Sequence, residues 1–528
     1  MSLTRLNGNL LIKRILTSKK YSTLTLEDEY TKTPQYPEIL DVSYDAKLDR
    51  KKQSVYNELQ SVKTVEEKQI KLNMPKYYGF KCYMFNENLI PYDQLDLTQH
   101  ITRTHLVLNE KLPQFYNEID EKVFNEVKSG VEEVILTESY LNGKEKFVFN
   151  VVKGLNRVFM NSLSKHKEYL KEIQVDFEPR IESFWFAGGM APPENVKRYR
   201  KGQEFQKHKE NDPTNRAIQY IGNPLLQIRS KLPLKPVLSP KSVEEGDYPV
   251  PFFKYDPRVV GVDTTHRHAT NIPGFWPGDN SKFGLISFHD SSHISKRDYN
   301  DAEESKEAVH RQGILASFSW LNSQANNLGF TTFNELTYPL FTQTILTNGQ
   351  QFSFYLYQLN TLLIHSNYVK DNPQKNVCYA TPELKLYEEI VDGKLIGFND
   401  DVLKNLLKLY LNEPEERLGV KMTPYLSQEE KVCADYKDVD KRIWLEREFK
   451  FLTSNRPRYK LDYEVYAWEK IYKIDHETRP MEARRRPFEL FQKPSDRRLN
   501  DRQAFYIPKV LRPNLPKQKG RYAKEYFP

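Results

Sequence analysis

Between residues 341 and 414 the chain reads FTQTILTNGQQFSFYLYQLNTLLIHSNYVKDNPQKNVCYATPELKLYEEIVDGKLIGFNDDVLKNLLKLYLNEP. Asn348-Gly349 separates two runs rich in β-branched and aromatic residues, Thr344-Ile345-Leu346-Thr347 and the segment from Gln351 to Leu359. Asn-Gly tolerates the positive φ angles of a type I′ turn, whose twist matches two antiparallel strands, so a β-hairpin is expected near 344–359. Its second arm alternates Phe352, Phe354 and Leu356 with Ser353, Tyr355 and Tyr357, the period of a strand with two distinct faces. Further on, Asp400-Asp401 opens VLKNLLKLYL, which sets Leu403, Leu406, Leu407 and Tyr410 on one side of a helix. Two carboxylates suit the N-terminal end of a helix dipole, and Pro414 stops the helix. A hairpin and a helix in one run predict an α+β body, a mixture of helices and sheet. No catalytic group stands out in the run, which leans the reading away from enzymes.

Charge is distributed unevenly. The net charge is +8, yet residues 1–26 alone carry +5, from Arg5, Lys13, Arg14, Lys19 and Lys20 with no acid. Residues 478–528 carry 14 Lys or Arg against 5 Asp or Glu, which is +9, so residues 27–477 are left with −6. A mildly acidic body with two basic ends is not the pattern of a uniformly basic DNA-binding domain. Mean hydropathy is polar at −0.71, but 33 Tyr and 29 Phe resist a disordered reading of the whole chain. A folded centre with extended N- and C-terminal arms fits both facts.

The N-terminal segment MSLTRLNGNLLIKRILTSKKYSTLTLEDEY interleaves its basic residues with Leu3, Leu6, Leu10, Leu11, Ile15 and Leu16, and it has no acid before Glu27. Such an Arg/Lys-, Leu- and hydroxyl-rich, acid-poor segment is expected to be a mitochondrial presequence cleaved near residues 20–23. No apolar run reaches the 18 to 20 residues of a membrane span. Cys82, Cys378 and Cys433 lie far apart with no C-x-x-C pair, which argues against a disulfide framework or a zinc ribbon and for a reducing compartment.

A helix is expected through SVYNELQSVKTVEEKQIKLN, and the following MPKYYGFKCYMF is read as core before RNA contact. Residues 110–175 read as mainly helical, with Val152, Leu155, Phe159, Leu163 and Leu170 at helical spacing. Phe184, Trp185 and Phe186 form a short strand candidate that Gly188-Gly189 would end. A basic loop follows, with Lys197, Arg198, Arg200, Lys201, Lys207 and Lys209 interleaved with Tyr199 and Phe205. Cations can neutralise phosphates while flat rings stack on unpaired bases, so this loop is the first RNA-contact candidate; a solvated charged loop is the bland alternative. The proline-rich stretch 224–257 is expected to be a surface-hugging arm. Residues 303–329 predict an amphipathic helix with Ile314, Leu315, Phe318, Leu321 and Leu328 on its apolar stripe and Gly329 as its left-handed cap. Further helices are expected at KRIWLEREFKFL and YEVYAWEKIYKI.

The tail from Thr478 holds seven prolines, which exclude a long helix, and the cations Arg484, Arg485, Arg486, Arg497, Arg498, Lys517, Lys519 and Arg521 along an extended chain. Each phosphate that such a tail neutralises releases counterions, and Arg adds bidentate contacts, so the tail is the second RNA-contact candidate.

The most enzyme-like stretch is VDTTHRHATNIPGFWPGDNSKFGLISFHDSSHIS, where His266, His268, His289 and His293 lie near Asp263 and Asp290. A His pair with a carboxylate can ligate a metal, and a metal-dependent matrix enzyme using His266–His293 is the runner-up reading. The spacing lacks H-E-x-x-H, however, and no P-loop, Rossmann fingerprint, G-x-S-x-G elbow, RRM or KH signature occurs elsewhere.

The blocks ILASFSWLNSQANNLGF, TQTILTNGQQFSFYLYQLNTL, DNPQKNVCYAT, KLYEEI and GFNDDVLKNLLKLYLNEP resemble, in order and spacing, the mitochondrial ribosomal protein family called programmed cell death protein 9. The resemblance is strong over about 303–414 and weaker over 70–300, where it includes FWFAGG. It implies a non-enzymatic constituent of the mitochondrial large ribosomal subunit in the matrix, in a family first catalogued with the small subunit. It also implies large-subunit rRNA and other mitoribosomal proteins as partners, one of them a related large-subunit protein that pairs with it. No cofactor and no active-site residue come with it. Vertebrate members of that family end soon after the NEP-like position, whereas this chain continues for over a hundred residues, so the tail's role rests on its charge alone. The expected organisation is a presequence (1–26), a polar arm (27–75), the α/β body (76–420), a helical extension (421–477) and the basic tail (478–528).

Overall fold

The computed structural model describes residues 40–452, apart from 63, 74–79, 88–93, 110–111, 114–119, 142–145, 268–269, 300, 367–368, 370, 425, 427–431 and 433–434. The chain divides into units of residues 1–54 and 55–528. The first contributes only residues 40–54 to the described part, including the start of α1 (Tyr44–Gln60). All the described strands belong to the second.

The second unit continues with α2 (Val65–Asn73), β1 (Phe80–Asn86), α3 (Leu95–Thr102), β2 (Thr104–Leu108), α4 (Glu121–Leu141), α5 (Phe147–Leu163), β3 (Gln174–Phe177) and β4 (Ile181–Met190). Then come α6 (Glu194–Lys201), β5 (Thr214–Gly222), β6 (Leu226–Ser230), α7 (Pro240–Glu245), β7 (Thr264–Arg267), β8 (Ile272–Pro273) and β9 (Phe283–Asp290). The rest is α8 (Ser292–Ser295), α9 (Ala302–Asn327), β10 (Leu340–Thr347), β11 (Gln351–Leu359), β12 (Asn376–Ala380), β13 (Leu384–Lys385), β14 (Glu389–Val391), β15 (Lys394–Ile396), α10 (Asp400–Leu411) and α11 (Val439–Leu452). The expected α+β class is what the chain adopts.

Two sheets face each other across α9. The smaller has the order β7-β1-β5-β4-β8; the larger runs β2-β12-β11-β10-β9-β6-β3, with β13 pairing on β11. On one side of the large sheet, Tyr355, Tyr357 and Cys378 share a core with α9, α3 and the inner face of the small sheet. On the other, Phe352, Phe354 and Leu356 pack with α4, α5 and α10. The alternation of β11 therefore divides two buried faces. The layers run sheet, helix, sheet, helices, which explains how the chain spends so many aromatic residues. Each large apolar side chain so buried contributes roughly 1.5–3 kcal/mol.

The hairpin forms, as β10 and β11 in register from Leu340↔Leu359 to Thr347↔Phe352. Its turn is not type I′. Gly349 has φ +93 while Asn348 does not adopt positive φ, so the four residues 348–351 make a wider loop. The Asn348 side chain builds it: Oδ1 accepts from the backbone N–H of Gln350 at 3.0 Å and of Gln351 at 2.8 Å. The side-chain bonds replace the second left-handed residue that a two-residue turn needs.

Four other expectations change. The predicted helix through 54–73 breaks after Gln60, and Thr64 starts α2 by accepting from Glu67 N at 3.3 Å. Gly188-Gly189 does not end β4, which continues to Met190 through a bulge after Ala187. The proline-rich arm supplies an interior strand, because β6 lies between β9 and β3 and its five residues are buried. The helix predicted over 303–329 is not amphipathic: Arg311 to Asn327 is buried on every face. Gly329, at φ +97, caps it as expected; Phe330 N donates to Ala325 O and Gly329 N to Asn326 O, the paired bonds of a Schellman end.

Helix α10 starts and stops as expected, with the Asn399 side chain capping Asp401 N. Helix α11 covers the first of the two later helices, and the second lies outside the described residues. Cys82 and Cys378 are buried and in no disulfide. No described helix is long and apolar enough to cross a membrane.

Replacing Gly349 with Val should strain the left-handed loop and drive a Cβ toward the Phe147 ring, whose Cε1 would lie 2.7 Å away. The expected loss is roughly 2–4 kcal/mol, read as a lower unfolding midpoint; an unchanged midpoint contradicts this account of the turn.

Candidate nucleic-acid interface

The basic segment after β4 is helical, which its composition disguised. Pro193 precedes α6, Glu194 stands in its first turn, and Arg198, Arg200 and Lys201 fill its last. That order places each charge at the favourable end of the helix dipole. Gly202 follows, and residues Glu204–Lys209 form a 3-10 turn before β5 begins. No residue of either turn is buried.

Within this projection the cations divide by role. Arg200 points inward along its own chain: its Nη1 donates to the carbonyls of Lys209 at 2.9 Å and Asp212 at 2.6 Å. It clamps the 3-10 turn against α6, so it shapes the surface more than it offers charge to a ligand. Arg198, Lys201 and Lys207 are exposed, and Lys197 is half-exposed. Tyr199 is exposed beside them. The sequence picked out the residues; the clamp was invisible because nothing in a list of cations shows which one turns back on the backbone. Arg484, Arg485, Arg486, Arg497, Arg498, Lys517, Lys519 and Arg521 all lie outside the described residues.

Among its described residues, the histidine-rich stretch is spread over separate elements. His266 lies on β7 in the small sheet, His289 on β9 in the large sheet and His293 on α8, while His268 lies outside the described residues. Among the described residues no group of three His, Cys, Asp or Glu side chains could hold a metal ion. His289 is instead a buried hydrogen-bonding residue. Its Nδ1 is 2.7 Å from Glu87 Oε1 and its Nε2 is 3.2 Å from Ser287 Oγ.

These bonds belong to a longer buried chain that no local motif announces. Arg311 Nη2 donates to Gln312 Oε1 at 3.3 Å, and Gln312 Nε2 to the Tyr220 hydroxyl at 3.3 Å. Tyr220 donates to Glu87 at 3.4 Å; beyond His289, Ser287 meets Thr344 Oγ1 at 3.1 Å, which accepts from Ser317 Oγ at 2.8 Å. The chain leaves α9 at Arg311 and returns to it at Ser317. Burial pushes the Tyr220 hydroxyl well above its usual range and the Arg311 guanidinium down to about 10. Arg311 still carries its charge near neutral pH, inside the protein.

With this fold and surface in place, comparison with known families becomes informative. The chain is a mitochondrial ribosomal protein by class. Residues 2–414 match the family described as Mitochondrial 28S ribosomal protein S30 (PDCD9), and the chain belongs to that family. Membership places it in the mitochondrial matrix. A structural place among ribosomal components follows from that membership.

Burial holds the imidazoles of His100, His293 and His310 below their usual range, His310 at about 4. His310 lies on α9 with its Nδ1 3.0 Å from the Tyr355 hydroxyl and faces Glu303 and Lys306. A base whose folded pKa is depressed binds fewer protons folded than unfolded, so stability drops as pH falls below 6.5. His310→Gln, which keeps a polar partner for Tyr355 but does not titrate, should reduce the stability lost between pH 7.5 and 5.0 by about 2 kcal/mol. Equal losses in both proteins contradict this.

Proposed function

We propose that the protein is a non-enzymatic structural constituent of the large subunit of the mitochondrial ribosome. Its body binds neighbouring ribosomal proteins, including a related large-subunit protein as heterodimer partner, and its basic segments bind large-subunit rRNA. The observation that carries the RNA part is α6 and its 3-10 turn, an exposed basic projection on an otherwise acidic body. Lys197, Arg198, Lys201 and Lys207 supply the charge and Arg200 holds the shape. The tail residues 478–528 add a sequence-independent electrostatic term.

The large-subunit assignment rests on the resemblance of residues 303–414, whereas the family description carries a small-subunit name. In the proposed organisation residues 1–26 are removed on import, 27–75 form an arm, 76–420 the body, 421–477 an extension and 478–528 the tail. Every step of this reading is structural, so no cofactor is assigned.

Sedimentation of mitochondrial lysate separates the possibilities. The protein should travel with the large subunit and be absent from the free small subunit; the reverse distribution, or a protein left at the top of the gradient, overturns the proposal. Removing residues 478–528 should release it from the subunit at a lower salt concentration while leaving its unfolding midpoint within a few degrees. Unchanged salt resistance removes the tail from the interface.

A further inference from the structure

Residues 248–258, YPVPFFKYDPR, carry a second alternation of aromatic and basic residues that composition alone did not single out as RNA-contacting. Most of the segment is extended, ending in a 3-10 turn at Pro257–Val260 that the Asp256 side chain caps. Phe253 turns inward and joins the core around α9, which forces its neighbours the other way. Phe252 is 67% exposed and Tyr255 56% exposed, with Lys254 Nζ 5.2 Å from the Tyr255 ring centroid. A single exposed ring is ordinary on a protein surface, but two within four residues, with a lysine beside them, form a patch of the kind that marks a binding site.

This segment lies beside the end of β4, from which the α6 projection springs. Arg216, at the start of β5, joins them: its Nη2 donates to Ala191 O, three residues before α6, at 3.3 Å. Its charge also acts on the Tyr83 phenol, whose hydroxyl donates to Asp256 at 2.9 Å. Farther along, the His100 ring meets the edge of Phe252 at 5.3 Å and faces the backbone carbonyls of Pro251 and Gly188. Asp256 does not oppose an anion here, because Arg258 covers both its oxygens at 2.9 and 3.1 Å. Across residues 194–216, seven Lys or Arg outnumber four Asp or Glu, a positive surplus on a body that is otherwise negative. Tyr199 adds a further ring at 62% exposure.

We propose that residues 194–209 and 251–258 form one surface for an unpaired RNA segment, in which Tyr199, Phe252 and Tyr255 stack on bases while Lys197, Arg198, Lys201, Lys207, Arg216 and Lys254 face the backbone. The proposal rests on the RNA-binding reading and deepens it from charge to conformation. A duplex hides its base faces and offers only phosphate and groove edges, so exposed rings add nothing to duplex affinity. A single strand offers a π-face at every base, and each stacked base changes affinity by about tenfold. An acidic protein would engage the cations but leave the rings without a comparable partner.

The test uses the full chain, a labelled single-stranded RNA of about 12 nucleotides and the matching RNA duplex, since single-strand sites span roughly 4–16 nucleotides. Two variants are compared with the wild type: Tyr199→Leu with Phe252→Leu and Tyr255→Leu, which keeps apolar volume but removes the flat faces, and Lys197→Glu with Arg198→Glu, Lys201→Glu and Lys207→Glu. Unfolding midpoints confirm that each variant is folded. The expected result is a preference for single strand of at least tenfold, lost in the leucine variant while duplex binding stays within twofold. Photo-crosslinks from thiouridine should map to residues 194–209 and 251–258 rather than to the tail alone. Equal binding of both RNAs, with only the charge variant weakened, overturns the stacking proposal and leaves the basic interface standing. Binding that neither variant alters, with crosslinks confined to the tail, overturns both.

Discussion

The arrangement depends on a helix whose residues Arg311–Asn327 two sheets enclose. Helix α9 presents Arg311, Gln312, Ser317, Ser319, Asn322, Ser323, Gln324, Asn326 and Asn327 to the interior along with its apolar residues. A buried polar side chain costs stability unless it is hydrogen-bonded, and for Gln312, Ser317, Asn322 and Gln324 the sheets provide a partner. Asn322 Nδ2 donates to Ser183 Oγ at 2.7 Å and to Phe184 O at 3.2 Å on β4; Gln324 Oε1 accepts from Gly284 N at 2.8 Å on β9. Trp320 Nε1 donates to Pro273 O at 3.1 Å on β8. These bonds have direction and length, which apolar contacts lack. They fix the rotation of the helix and hence the spacing of the two sheets.

Small residues make the approach possible. A Cβ on Gly313 would stand 2.4 Å from Cε1 of Tyr355, so the helix rests directly on that ring only because the position is glycine. The same contact puts His310 against the Tyr355 hydroxyl. Lys68 reaches the far end of the helix from α2 and donates to Gly329 O at 2.6 Å, with burial lowering its amine to about 8. Position by position, the interior is specified by polar geometry, and its edges carry the exposed surfaces. The segments proposed to face RNA hang from this frame: β4 delivers α6, β5 receives the chain back, and Phe253 pins the second segment into the core.

Much of this was legible in the residues. Asn348-Gly349 marked the hairpin, and Asp400-Asp401 with Pro414 bounded α10, because turn and cap chemistry is local. The identity of the turn was not, since the Asn348 side chain bonds, not the dipeptide, determine its shape. Helix α9 was located but misjudged: periodicity reports one apolar stripe, whereas a helix between two sheets buries polar residues too, and their partners lie far away in sequence. Strand β6 hid behind prolines that lie on either side of it and leave its own ladder donors free. The basic projection was recognised by its cations and mistaken for a loop, as Pro, Gly and Lys at its margins obscured eight helical residues. Its second half, Phe252 to Arg258, escaped because no local density of charge marks it; only the fold brings it to Arg216.

The account separates an interior that holds the protein together from edges that hold it to its assembly. Its central claim is that the protein is a large-subunit ribosomal component whose edge segments, α6 with its 3-10 turn and residues 251–258, lie on RNA. The most direct measurement is a side-chain-resolution map of the mitochondrial ribosome containing this chain. The account predicts the protein on the large subunit, with Lys197, Arg198, Lys201 and Lys207 within about 4 Å of rRNA phosphate oxygens, as ion-pair contact requires. A map that places it on the small subunit, or that shows both segments facing solvent or protein alone, would contradict it.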